Sequence, residues 1–328
     1  MLVFVTGARP NFIKVKPLID YCDKMGVDHV VYNSNQHGKD MQVFEMGTHI
    51  NQPISHNREG RFAWMMSDFS RFLNGRVVDA VVVVGDTDTS FACALTADMR
   101  QIPVAHVEAG MRSYYHMPEE SNRVAIDRLS TFLYVPTYST LGNLQREGMT
   151  GVHVGNIMIE SLLRNWKETV LDEPDYILME FHRPENDGRQ GSLMAVANKM
   201  SLPVKFLVHP RHSGIPLVMG DNVEYLSPVP YQDMITLIAN ASLVCTDSGG
   251  IQADSSFLKV PCVTLRKNTE WGVTITHGTN LLVGSVDELM SVYEAHMNRK
   301  FNIDFSTQLW DDQVSKRIIN HLIEGVKG

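Results

Sequence analysis

The sequence predicts an α/β protein built from two doubly wound halves. Short apolar runs, such as residues 2–6 and 80–84, alternate with stretches of helical spacing along the whole chain. Several of these runs lead into polar turns that carry glycine, as at Gly7, Gly85 and Gly249. The length, 328 residues, exceeds what one ordinary core needs, so two domains are expected.

The elements follow in order. Residues 2–6 form an apolar strand, 11–24 a helix and 29–32 a second strand. Residues 61–73 read as a helix because Phe62, Met65, Met66, Phe69 and Phe72 recur on one side. Residues 80–84 are a continuous apolar strand of the kind buried on both faces of a parallel sheet. An Ala-rich helix at 89–99, a strand at 102–107, a helix at 120–129 and a strand at 132–136 come next. A helix at 138–147, closed by Gly148, and a strand at 152–154 complete the first half. A second series begins after Glu173-Pro174. Its strands lie at 176–179, 204–208, 243–245, 262–265 and 280–282. Its helices lie at 191–200, 231–239, 251–258, 286–298 and 313–324. The boundary falls near residues 160–174, giving domains 1–168 and 169–328. No repeat or low-complexity tract interrupts the pattern.

Composition narrows the function. With 29 basic and 37 acidic side chains the net charge is -8, which argues against nucleic acid and against anionic membranes as partners. No apolar run approaches the ~20 residues that span a bilayer. The N-terminal MLVFVTGARP lacks a basic leader region and a small-residue cleavage site, and reads as strand one. Cys22, Cys93, Cys245 and Cys262 are scattered, with no CxxC spacing. They read as reduced core thiols of a cytoplasmic protein rather than as metal ligands.

The chemistry concentrates in residues 81–123. The run VVVV stops at Gly85, and Asp86 follows at once. The next strand delivers His106 and Glu108, and a loop beyond it carries Glu119 and Glu120. Open α/β sheets bind ligands beyond the carboxyl ends of their strands, so these carboxylates are expected to converge on one rim. Crowded or buried carboxylates have raised pKa values and serve as acids and bases.

Five further segments lie at strand ends. The turn Thr246-Asp247-Ser248-Gly249-Gly250 opens a helix; it reads either as a phosphate cradle or as an ordinary N-cap. It is neither a Walker loop nor GxGxxG, so it gives no indication of NAD. Gly7-Ala8-Arg9-Pro10-Asn11 places Arg9, and Lys14 after it, at the start of helix one. They suit phosphate oxygens, or are solvated cations beside a proline-started helix. His182-Arg183 would neutralise a leaving diphosphate, although His182 alone reads first as a structural histidine. His209-Pro210-Arg211-His212 has no acid at ligand spacing, so no metal site is assigned. Gln36-His37 reads alone as a polar loop.

Taken in order, TGARPNFIK, NQHGKDM, VVVVGDTDTS, IPVAHVEAGMRS, MPEESNR, FHRPEN, HPR, TDSGGIQ and NTE resemble the UDP-N-acetylglucosamine 2-epimerase family over nearly the whole chain. The resemblance implies the GT-B fold, two Rossmann-like domains facing across a cleft, with the last helix returning to the first domain. It implies elimination of UDP to 2-acetamidoglucal, then re-addition with a proton delivered to the opposite face of C2, with no metal and no NAD. It makes Asp86, Glu108 and Glu119 the catalytic carboxylates and His182 the group that stabilises departing UDP. Arg9, Lys14, Ser248, Gly249 and Gly250 would hold the diphosphate and sugar. Asp254 stands where the family usually has a ribose-binding Glu. Gln36 and His37 would lie by an allosteric UDP-GlcNAc site, but the Gly38-Lys39-Asp40-Met41 that follows departs from the bacterial QHREM. The family's TERPE becomes Thr269-Glu270-Trp271-Gly272-Val273, with Trp271 read as filling. A cytoplasmic homodimer supplying a polysaccharide precursor is the expectation. Alternatives are an epimerase for another UDP-2-acetamido sugar, a hydrolysing variant releasing ManNAc, a glycosyltransferase on the same fold and a UDP-sugar binder without turnover.

Overall fold

A computed structural model describes residues 1–35, 48–50, 57–115, 117–166, 174–209, 212, 214, 216, 220–277, 280–298 and 310–327. The chain divides into two compact units, Met1–Ser161 with Asp311–Gly328, and Leu162–Trp310.

In the first unit the elements are β1 (Leu2–Thr6), α1 (Arg9–Met25), β2 (His29–Asn33), β3 (Thr48–Ile50), α2 (Arg58–Leu73), β4 (Ala80–Val84), α3 (Asp88–Met99), β5 (Val104–Val107), α4 (Pro118–Leu129), β6 (Phe132–Val135), α5 (Tyr138–Arg146) and β7 (Val152–His153). Helix α6 (Ile157–Asn165) crosses the division between the units. The strands form one parallel sheet in the order β3-β2-β1-β4-β5-β6-β7. Alternation along each strand sorts the core into two layers. Phe4, Val82 and Val84 pack with Val15 and Leu18 of α1, while Val5, Val81 and Val83 pack with Phe69 of α2 and Ala94 and Ala97 of α3. The last helix, α12 (Val314–Gly325), belongs to this unit: Val314, Ile318, Ile319 and Leu322 form a buried stripe in the core layer of α1.

The second unit contains β8 (Tyr176–Glu180), α7 (Gln190–Ala197), β9 (Val204–Leu207), β10 (Val223–Leu226), α8 (Tyr231–Ala239), β11 (Ala241–Thr246), α9 (Gly249–Phe257), β12 (Cys262–Leu265), α10 (Gly272–Thr276), β13 (Asn280–Val283) and α11 (Val286–Met297). Its parallel sheet runs β10-β9-β8-β11-β12-β13. Helices α6 and α10 and strands β3 and β10 are additions to the elements expected from the sequence. All four cysteines are free and buried, and among the described residues no helix is long and apolar enough to cross a membrane.

Each sheet has one point at which the winding reverses, between β1 and β4 in the first unit and between β8 and β11 in the second. Chain segments leaving the two strands at such a point diverge and open a crevice for ligands. The turns after β1, β4, β8 and β11 carry Arg9, Asp86, His182 and Ser248, so the candidate residues gather at the two switch points.

Candidate functional site

At the first switch point the loop after β1 is locked by Asn11. Its Oδ1 accepts from the Ala8 backbone N–H at 2.9 Å, and its Nδ2 donates to the carbonyl of Val84, the last residue of β4, at 3.0 Å. Neighbouring β4 and β5 end together, Val84 opposite Val107, and Gly85 N–H donates to the Val107 carbonyl at 3.0 Å. Asp86 and Glu108 therefore leave adjacent strands at the same level.

Glu108 has φ +71°, a left-handed conformation uncommon for a side chain of this size and typical of residues held for a purpose. Its Oε2 lies 2.5 Å from Lys14 Nζ of α1. Its Oε1 is buried and accepts no hydrogen bond among the described residues. Gly85, at φ +64°, makes room for this pair: a Cβ there would stand 3.3 Å from both Glu108 Oε2 and Lys14 Nζ. Lys14 is thus the partner of Glu108, a role the sequence did not disclose.

Asp86 is partly exposed and bound by Arg123 of α4 through Nη2 and, at 3.1 Å, Nε. Arg123 was not among the candidates. Asn122 adds a hydrogen bond to the Asp86 carbonyl at 2.9 Å. Asp88, the next acid, is held by Arg58 and Asn122; burial pushes its carboxyl up, but those hydrogen bonds outweigh it and leave the group below its ordinary value. Glu119 is exposed on the first turn of α4, and Glu120 is tied to Ser113 and Arg123. The expected mutual crowding of carboxylates is replaced by pairing: Asp86 and Glu108 each have a cation beside them.

At the second switch point Asp247 joins the two loops. Fully buried, it accepts from the backbone N–H groups of His182 (3.0 Å) and Arg183 (3.1 Å) and from Asn186 Nδ2 (2.8 Å). The His182 loop is thereby stitched to the turn Ser248-Gly249-Gly250. Nδ1 of His182 lies 2.7 Å from Glu180 Oε1, at the end of β8. Burial pushes His182 down, but the Glu180 hydrogen bond and the charges of Glu180 and Asp247 more than offset it, so its pKa stands above the ordinary 6.5. Glu180, His182 and Asp247 present ligand atoms within 4.8 Å of one another, the geometry of a possible metal cluster. The carboxylate oxygens, however, already accept from His182, Thr246, Arg183 and Asn186. The trio fits a cationic histidine supported by two acids better than an open coordination sphere.

Ser248 caps α9, its Oγ accepting from Ile251 N–H. The first-turn N–H groups of Gly249 and Gly250 then point out of the helix without intrahelical partners, as an anion site requires. Gly249 admits no side chain, because a Cβ would stand 2.5 Å from Glu270 Oε1 and 3.2 Å from Trp271 Nε1. Glu270 is bound by Arg266 at 2.8 Å and Arg183 at 3.4 Å. Trp271 is buried, its ring edge-on to Trp310 at 5.6 Å, as the filling role expected. Asp254 is buried further along α9, 3.4 Å from the Tyr231 hydroxyl. The Arg9 side chain, Gln36, His37, Pro210 and Arg211 lie outside the described residues.

Known proteins give an independent view of this arrangement. A family model described as UDP-N-acetylglucosamine 2-epimerase matches residues 25–323. A UDP-N-acetylglucosamine 2-epimerase of Methanocaldococcus jannaschii is 32% identical, with 99% of each chain covered. A UDP-2,3-diacetamido-2,3-dideoxy-D-glucuronate 2-epimerase of Pseudomonas aeruginosa is also 32% identical, covering 98% of this chain and 99% of its own. The crystal structure of Methanocaldococcus jannaschii UDP-GlcNAc 2-epimerase in complex with UDP-GlcNAc and UDP superposes with a TM-score of 0.86 at 31% identity, over 99% of both chains. The two doubly wound parallel units and this whole-chain likeness give the GT-B fold.

Proposed function

The chain belongs to the UDP-N-acetylglucosamine 2-epimerase family, and from that premise we propose that it interconverts UDP-GlcNAc and UDP-ManNAc by elimination and re-addition of UDP. In the forward step the C2–H bond breaks, its electron pair forms the C1–C2 double bond, and UDP leaves with the C1–O pair. In the return step UDP re-adds at C1 and a proton arrives on the opposite face of C2. The balance needs a proton acceptor, a proton donor and a cationic cradle, with no net oxidation, so neither NAD nor a metal is called for by the chemistry.

The observation that carries this reading is Glu108: a carboxylate at the end of β5, beside the first switch point, turned into place by a positive φ, with one oxygen on Lys14 and the other buried and accepting no hydrogen bond among the described residues. A general base in a water-poor site is built this way. Asp86 and Glu119 complete the set of proton-transfer candidates. In the second unit His182 opposes the charge that builds on departing UDP, the Gly249 and Gly250 N–H groups and Ser248 receive the diphosphate, and Asp254 faces the ribose. Arg9 is assigned to the same anion. Lys14 acts through Glu108. The first unit is thus proposed as the carboxylate domain and the second as the UDP domain. Buried thiols suit the reducing cytoplasm, and a homodimer feeding polysaccharide synthesis accompanies the reading.

The equal identity to the Pseudomonas aeruginosa enzyme favours a second substrate, a UDP-2,3-diacetamido uronate. Proton NMR in D2O, without metal or NAD, separates the cases. Deuterium at C2 with a UDP-ManNAc anomeric signal is the expected result. Free ManNAc with UDP would identify a hydrolysing enzyme. An unchanged spectrum with UDP-GlcNAc but C2 exchange in the uronate would reassign the substrate, and no exchange with either would leave a binder.

A further inference from the structure

The motif HVEAGMRS contributes more than Glu108. His106 is fully buried, with Nε2 3.2 Å from the Gly85 carbonyl and Nδ1 2.6 Å from Asp127 Oδ1 of α4. Both partners are acceptors, a carbonyl and a carboxylate, so the ring bridges the end of β4 to helix α4. The other Asp127 oxygen accepts from Gly110 N–H at 3.1 Å and from Arg112 Nη1 at 2.8 Å. Arg112 in turn grips Glu147 with two contacts of 2.8 Å. Four charged or polar side chains thus converge on one carboxylate-centred chain beneath the ends of β4 and β5.

We propose that His106 and Asp127 are a positioning pair for the reaction, holding the backbone of Gly85, which precedes Asp86, and of Gly110, two residues after Glu108. Neither side chain touches substrate. Their effect is to fix two carboxylates from different strands at one spacing, which a proton relay to opposite faces of one carbon demands. The inference rests on the assignment of Asp86 and Glu108 to proton transfer.

Two replacements of His106 separate its two bonds. His106→Gln keeps a donor at the distal position, toward Gly85, and His106→Asn keeps one at the near position, toward Asp127. With melting temperature monitored, His106→Asn is expected to lower kcat about ten- to a hundredfold while KM and UDP affinity hold, and to speed hydrogen exchange at the Gly85 amide. His106→Gln is expected to recover most of kcat and of that protection. Equal kcat losses in both variants, a parallel loss of UDP affinity, or unchanged Gly85 exchange in His106→Asn would overturn the proposal. If His106→Asn does not fold, Asp127→Asn decides: a lowered kcat with UDP affinity held and faster exchange at the Gly110 amide, which donates to Asp127, support the pair, and unchanged kcat or unchanged Gly110 exchange sinks it. Failure of the functional reading shows separately, as wild-type protein that exchanges C2 hydrogen in no UDP-2-acetamido sugar; the Gly85 amide then still judges the clamp.

Discussion

Lys14 Nζ lies 2.5 Å from Oε2 of Glu108, and the second oxygen of that carboxylate, although buried, accepts no hydrogen bond among the described residues. In the proposed reaction the lysine orients the group and leaves one oxygen for the substrate. Glu108→Gln preserves the shape and removes the proton acceptor, so kcat should fall by about a hundred- to ten-thousandfold while the fold and UDP affinity persist. Lys14→Met leaves a buried carboxylate without its cation and should both abolish turnover and destabilise the protein, by about 3 kcal/mol. Steady-state kinetics with thermal unfolding would check both; a Glu108→Gln enzyme of wild-type kcat would remove Glu108 from the chemistry.

Asp86 makes a contrasting case, because its partner Arg123 comes from another helix. Asp86→Asn should leave UDP binding largely intact and abolish turnover. Arg123→Met should let the Asp86 carboxylate swing, lowering kcat about tenfold or more with little change in UDP affinity. Calorimetric titration with UDP beside C2 deuterium exchange would read the split. Turnover persisting in Asp86→Asn would refute its role in proton transfer.

These two pairs mark what a sequence discloses. Asp86 and Glu108 are legible because an apolar strand that stops at an acid is a local pattern. Arg123 lies 37 residues from Asp86, and Asp127 lies 21 from His106, so their partnership exists only once α4 folds over the strand ends. The expected crowding of carboxylates failed for the same reason. In the fold, β4, α8 and β12 match their expected spans because apolar runs and turn residues bound them sharply. Helix α6 was unread because it runs into the expected domain boundary, and β10, an edge strand with no fully buried residue, lacks the apolar run that announces a central strand.

His182 should make UDP binding depend on pH. Its folded-state pKa is raised above 6.5, burial being outweighed by Glu180 and Asp247. The stabilisation from its charged form is complete below 6.5 and is lost as pH climbs through the raised value. UDP affinity should therefore weaken over the same window, as pH climbs above 6.5 and through the raised value. Glu180→Gln should move the break to lower pH, and His182→Gln should flatten it. A wild-type affinity independent of pH would argue that the histidine does not face the diphosphate.

On the acid side Asp127 behaves oppositely. Burial pushes its carboxyl up, but His106 and Arg112 outweigh burial and hold it below the ordinary 3.8. Its contribution to stability is present above that value and is lost as pH falls through the folded one. Asp127→Asn should thus be less stable than wild type near neutrality, with the gap closing in acid. Melting temperatures across the acid range would test this, and a gap that stays constant would assign the loss to packing alone.

Gly249 offers the sharpest test of the anion turn. Its Cα sits so near Glu270 and Trp271 that a methyl group would overlap the Glu270 carboxylate at 2.5 Å. Glu270 cannot retreat freely, because Arg266 and Arg183 hold it and the neighbouring Trp271 is packed on Trp310. In Gly249→Ala the turn must move instead, shifting the N–H groups assigned to the diphosphate. UDP affinity should fall about tenfold or more, equivalent to about 1.4 kcal/mol. Gly250→Ala meets only Ser248 Oγ at 3.9 Å and should bind UDP nearly as wild type does. Calorimetry on the two variants compares neighbouring glycines of the same helix turn. Equal affinities would mean that the diphosphate is held elsewhere.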